Sequence, residues 1–158
     1  SSAASDVYKR QAEDIPAQTS ADYRLRGNCH YTLADMEASG ERLVNALLYA
    51  GAGSYIEFII DLPTAGTYHL EGTIAMSGTC SVFVDDVKND AAQADVGYPM
   101  KRICTLKPSK KLTDVSMGEI HFDQPGLKII RFATEKKQEV KFDRLRLLKR
   151  GKLIFQKR

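Results

Sequence analysis

The sequence predicts an all-β fold arranged as a sandwich. β-rich segments recur at a spacing of roughly 8–15 residues, with turn-forming residues between them. One segment, Thr67-Tyr68-His69-Leu70-Glu71-Gly72-Thr73-Ile74, alternates strictly, so that Tyr68, Leu70 and Ile74 face a core and His69, Glu71 and Thr73 face away from it. Neither a βαβ rhythm nor a repeat of fixed period runs through the chain. At 158 residues it can fill one hydrophobic core but not two good ones.

Residues 12–34 are polar and broken by Pro16 and Gly27, with Tyr23-Arg24-Leu25-Arg26 alternating as a short edge strand would. Met36, Leu43, Leu47 and Leu48 fit a loose helical period that Gly40 interrupts, and Met36–Leu48 reads mostly as loop. From Gly51 the character changes. Tyr55–Leu62 is β-rich and ends at the turn Pro63-Thr64-Ala65-Gly66, ahead of the alternating segment. Cys80–Val84 is a strand stopped by Asp85-Asp86, and a polar loop extends to about Met100. Arg102–Leu106 is a short strand before the basic loop Lys107–Lys111. Val115–Phe122 runs into the Asp123-Gln124-Pro125-Gly126 turn, Leu127–Ala133 follows, and the charged turn Thr134–Glu139 leads to Val140–Leu148.

Composition narrows the class. A hydrophobic content of 43% with 27% charged residues excludes wholesale disorder. No apolar run approaches the roughly 20 residues of a membrane span. Three cysteines exclude a disulfide-stapled miniprotein. Within a net charge of +3, residues 135–158 hold ten Lys or Arg against three acids. That basic end is either the solvated face of a strand with a linker, or a polyanion footprint through Lys136, Lys137, Lys141, Arg144 and Arg146.

The first eleven residues stand apart. Asp6-Val7-Tyr8-Lys9-Arg10-Gln11 resembles the translation of a transposon end used to tag sequencing libraries. Residues 1–11 are therefore expected to be a disordered scar on a metagenomic gene model, outside the fold. Residues 12–150 are expected to form the sandwich, and residues 151–158 an edge or linker, Leu153-Ile154-Phe155 beginning a linker or a strand of a neighbour.

The order of elements carries a resemblance. It rests on Ala12-Glu13-Asp14, on Gly53-Ser54-Tyr55-Ile56-Glu57-Phe58 entering a strand, and on Leu62-Pro63-Thr64-Ala65-Gly66-Thr67-Tyr68-His69-Leu70. Val82-Phe83-Val84-Asp85-Asp86, Met117-Gly118-Glu119-Ile120, Leu127-Lys128-Ile129-Ile130 and Val140–Leu147 complete it. Together these resemble the galactose-binding-like jelly rolls of the carbohydrate-binding module family 6/35 type. The resemblance implies a jelly-roll β-sandwich that binds a glycan or polysaccharide in a cleft of end loops. There aromatic rings stack on the apolar faces of sugars while polar side chains hold hydroxyls.

Carried onto this chain, the resemblance implies ligand binding by Tyr49, Glu57, Tyr98 and Lys141. The chain departs from the family in having no tryptophan, with Lys110-Lys111 near a usual position for one, and in carrying Lys141 where the family has asparagine. Lysines there would suit an acidic sugar. The resemblance also implies a structural calcium ion on Glu13 and Asp143, backbone carbonyls completing its oxygen shell. Alternation with Leu145 and Leu147 puts Asp143 on the core side, where a metal, Arg131 or a cluster of backbone amides would have to satisfy its carboxylate.

Little else points to chemistry. His30, His69 and His121 are isolated in sequence, and no zinc-ligand spacing, phosphate loop or nucleophile elbow is present. Asp85-Asp86 reads as a turn after a strand rather than as a glycosidase pair. Cys80 and Cys104 either pair across neighbouring strands in an oxidising compartment or serve as small buried hydrophobes. The expectation is a non-catalytic carbohydrate-binding module, an accessory domain of an extracellular or periplasmic polysaccharide-acting enzyme, with neither a membrane nor a nucleic acid as partner. The alternative is a structural module of the same fold, packed on a catalytic neighbour without binding sugar.

Overall fold

The computed structural model describes residues 23–28, 30–36, 41–48, 54–95, 97–134, 136–149 and 152–157. Their strands are β1 (Tyr23–Asn28), β2 (His30–Met36), β3 (Glu41–Leu48), β4 (Ser54–Leu62), β5 (Gly66–Met76) and β6 (Cys80–Asp86). After a short 3-10 helix, Ala91–Ala94, come β7 (Lys101–Leu106), β8 (Ser109–Phe122), β9 (Gly126–Thr134), β10 (Gln138–Lys149) and β11 (Lys152–Lys157). One sheet has the order β1-β4-β9-β6-β7, the other β2-β3-β10-β5-β8 with β11 added to β10. All pairings are antiparallel. No helix among the described residues is long and apolar enough to cross a membrane.

The all-β sandwich expected from the alternation is the observed fold. Ile56, Phe58 and Ile60 of β4 and Ile130 and Phe132 of β9 meet Tyr68, Leu70, Ile74, Phe142, Leu145 and Leu147 of the facing sheet, all buried in one core. At its centre the Phe142 ring packs edge-on against Phe58 and Phe132, with centroids 5.2 and 4.7 Å away. Such rings dominate core energetics, and truncating one costs about 3–5 kcal/mol. The Pro63–Gly66 turn is fastened from both sides. Tyr68 Oη donates to the Thr64 carbonyl at 2.6 Å, and Lys149 Nζ donates to Thr64 Oγ1 and the Ala65 carbonyl at 2.8 and 2.7 Å.

Several sequence expectations are corrected. Met36–Leu48 is not mostly loop: Met36 closes β2, and Glu41–Leu48 forms β3, paired with β2 on one side and β10 on the other. Two hydrogen-bonded neighbours override a weak local period. The basic loop ends early, because β8 already begins at Ser109. Residues 152–157, expected as an edge or a linker, form a strand of this sandwich, in register with Leu145–Lys149 and carrying Phe155 fully into the core. Cys80 and Cys104 are free thiols. Cys80 lies in the core, where burial, and secondarily nearby Cys104, pushes its thiol up to about 12.

Two irregularities shape the outer face of the β5 sheet. In β8, Leu70 pairs with Gly118 but Glu71 with Ser116, so Met117 is an extra residue turned into the core. Gly118 reaches the φ of +86° that this bulge demands, a conformation costly for a side-chain-bearing residue. In β10, Phe142 pairs with Ile74 but Arg144 with Thr73, leaving Asp143 as the extra residue. Phe142 and Leu145 are both buried with two residues between them, so the alternation that put Asp143 on the core side is broken. Asp143 is half-buried in the bulge.

Candidate functional site

Of the expected ligand-binding residues, the three that are described do not converge. Tyr49 and Glu13 lie outside the described residues. Glu57 and Tyr98 belong to the outer side of the β4-β9-β6 sheet, whereas Lys141, between buried Val140 and Phe142, faces outward from the opposite sheet. Lys141 Nζ is 3.4 Å from Glu139 on its own strand.

Glu57 is an interior residue. It sits opposite Arg131 across β4 and β9, accepts from Arg131 Nε at 2.6 Å, and is fully buried. The segment between β6 and β7 folds over this pair as a strap. Arg131 donates from Nη1 to the Asp95 carbonyl at 3.0 Å and from Nη2 to the Gln93 carbonyl, while its guanidinium carbon lies 3.9 Å from the centre of the Tyr55 ring. Tyr55 Oη donates to the Ala94 carbonyl at 2.6 Å. Gln93 closes the strap on itself, donating to Asp85 Oδ2 and the Asp86 carbonyl and accepting from the Lys88 amide. Asp85-Asp86 therefore ends the strand and anchors the strap. Arg131, weighed from sequence as a partner for Asp143, is committed to Glu57. Tyr98 stands half-buried at the end of the strap, with Lys88 Nζ 5.7 Å from its ring centre.

The opposite sheet presents a different surface. Its outward positions on β5, β8 and β10 are mostly polar, exposed on β8 and largely half-buried on β5 and β10, and near the two bulges they surround a depression of about 270 Å³. Glu71, Gly72, Asp114, Val115, Ser116 and Arg146 line it. Strand register explains the grouping, since Glu71 pairs with Ser116 on one side and with Arg146 on the other, and Thr73 pairs with Asp114. A bulge on each flanking strand increases local twist and dishes the sheet at that point. Gly72 keeps the strands close, because a Cβ there would meet the Arg144 carbonyl at 2.9 Å and Met117 at 3.1 Å.

Hydrogen bonds fix part of this surface and leave part unspent. Thr73 Oγ1 donates to Asp114 Oδ1 at 2.6 Å, and Ser116 Oγ lies 3.1 Å from His69 Nε2. Glu71 stands 3.5 Å from Arg146 Nε and 3.9 Å from His69 Nε2. Beyond that ion pair, Arg146 Nε is buried without a hydrogen-bond partner among the described residues. The surface thus offers carboxylate acceptors and guanidinium donors side by side. Glu71 and Thr73 were legible as outward residues of the alternating segment; Asp114, Ser116 and Arg146 join them only through strand pairing.

The expected calcium ligands give one described residue, Asp143. Among the described residues no group of three or more His, Cys, Asp or Glu is placed to hold a metal ion.

No protein-family model matches the chain, and no curated protein matches it. Solved structures do. A family 61 carbohydrate-binding module in complex with β-1,4-galactotriose aligns at 16% identity over 83% of this chain and 90% of that one, with a TM-score of 0.52. A mutant of a family 29 carbohydrate-binding module aligns at 15% identity over 92% and 87%, with a TM-score of 0.55. Another family 29 module, complexed with mannohexaose, aligns at 14% identity over 85% and 82%, with a TM-score of 0.54. At these identities the likeness is one of fold. It upholds the jelly-roll sandwich and gives the 6/35 assignment no family model of its own.

Proposed function

We propose that the chain is a non-catalytic carbohydrate-binding module whose binding surface is the dished outer face of β5, β8 and β10. The observation that carries this reading is the depression itself, where the Asp114 carboxylate and the Arg146 guanidinium line a solvent-open hollow. Sugar hydroxyls both donate and accept, so adjacent carboxylate and guanidinium groups suit them. The modules of like fold, solved with galactotriose and mannohexaose, support the same class of ligand. In this reading the module serves an extracellular or periplasmic enzyme, raising that enzyme's local concentration on a polysaccharide through a tether. A structural calcium ion on Asp143 and Glu13 belongs to the same proposal.

A second reading has one observation in its favour. None of the residues lining the depression is aromatic, so the stacking that commonly holds a sugar face is missing there. The same face would then pack on a catalytic neighbour without binding sugar. A glycan-array screen of the folded chain separates the two: a specific oligosaccharide hit lost in Arg146→Ala supports the binding module, and a blank array with a cooperatively melting protein supports the structural one.

A further inference from the structure

We infer that the depression on the β5-β8-β10 face selects an uncharged saccharide and rejects uronates. The inference rests on the carbohydrate-binding reading above and specifies the ligand class of that same face. Two carboxylates, Glu71 and Asp114, and one guanidinium, Arg146, line the hollow, giving it a formal charge of −1. The guanidinium is shared, because Glu71 Oε1 already stands 3.5 Å from its Nε. Asp114, which accepts from Thr73 through Oδ1, adds a second carboxylate to the lining, and the Arg146 guanidinium supplies its donors.

A vicinal pair of neutral hydroxyls satisfies both at once: each hydroxyl donates a hydrogen bond to carboxylate oxygen or accepts one from guanidinium, and no net charge enters the hollow. A uronate meets a different balance. Its carboxylate can use the Arg146 donors only by standing next to Asp114 and Glu71, and it leaves Asp114 Oδ2 facing another acceptor. Like charges so placed repel one another. The lysine that suggested an acidic sugar does not alter this. Lys141 is absent from the lining and lies 3.4 Å from Glu139.

The test is calorimetric titration of the full chain with mannohexaose, cellulohexaose and galactotriose in parallel with a galacturonate hexamer, at fixed salt. The expected result is binding of at least one neutral oligosaccharide, with the uronate at least tenfold weaker. Arg146→Gln should weaken the neutral ligand tenfold or more, and Asp114→Asn should narrow the gap by removing the repelling charge. Glu71→Gln makes the same prediction and keeps the test open if Asp114→Asn disturbs β8. Uronate binding as tight as, or tighter than, neutral binding overturns this inference while leaving carbohydrate binding in place. A folded chain that binds none of the four overturns the carbohydrate-binding reading and this inference with it.

Discussion

Arg131 and Glu57 face each other across β9 and β4 at 2.6 Å, and neither side chain reaches solvent. Two charges so deep in a protein stabilise one another by neutralisation, and the guanidinium also serves carbonyls of the strap. The pair joins the outer face of one sheet to the segment that covers it. Removing one partner takes from a buried charge the ion that neutralises it, whereas removing both replaces the pair with ordinary packing. Arg131→Met should therefore lower unfolding stability by about 3–5 kcal/mol, and Glu57→Leu combined with Arg131→Met should lower it by much less. Urea denaturation of the two variants measures the difference. Equal losses would mean that the coupling is unimportant.

Gly118 shapes the other face. Its φ of +86° lies in the left-handed region, and nothing stands within 4 Å of a Cβ built there, so an added methyl group is opposed by backbone strain alone. Gly118→Ala should cost about 1–2 kcal/mol, and saccharide affinity should fall with it as the bulge relaxes. Gly97→Ala is the control, because that position has open space and no positive φ. It should stay within about 0.5 kcal/mol of the parent. Equal melting temperatures for the two variants would contradict the role assigned to the bulge.

Cys80 gives the fold an alkaline limit. Its thiol is raised from 9.0 to about 12, chiefly by burial, so the folded state keeps a proton that the unfolded state loses. This contribution is complete below pH 9 and is lost between pH 9 and 12, at about 1.4 kcal/mol per pH unit. Tyr68, raised by burial above 10.0, adds to the loss at higher pH. Cys80→Ala should be less stable at neutral pH and should show a shallower decline above pH 9. An unchanged slope would exclude Cys80 as its source.

The calcium proposal has a direct thermal test. An ion bound only by the folded state at a hundred times its dissociation constant adds about 2.7 kcal/mol. Millimolar calcium should raise the melting temperature, a chelator should reverse the rise, and Asp143→Asn should abolish it. A melting curve indifferent to both reagents removes calcium from the account.

The legible parts of the fold were those written in local alternation. Tyr68, Leu70 and Ile74 pointed inward as read, and His69, Glu71 and Thr73 outward, because a strand half-exposed to water imposes a period of two. Bulges leave no such mark. One extra residue at Asp143 interrupts the alternation inferred from Leu145 and Leu147, and one at Met117 breaks the regular pairing of β5 and β8. β3 was hidden because its residues mimic a weak helical period, and β11 because a short apolar run after Gly151 looks the same in a linker as in a strand. The site was less legible still. Glu57 and Arg131 are 74 residues apart, and only the β4-β9 register makes Glu57 a buried partner rather than a sugar ligand. Asp114, Ser116 and Arg146 meet Glu71 by the same kind of long-range pairing.

The central claim concerns which face meets the sugar. Backbone amide shifts of the isotope-labelled chain titrated with mannohexaose test it most directly. The account predicts saturable shifts centred on Glu71, Gly72, Asp114, Ser116 and Arg146, with the strap residues Lys88 and Tyr98 unmoved. Shifts centred on Lys88 and Tyr98, with β5 and β8 silent, would contradict it.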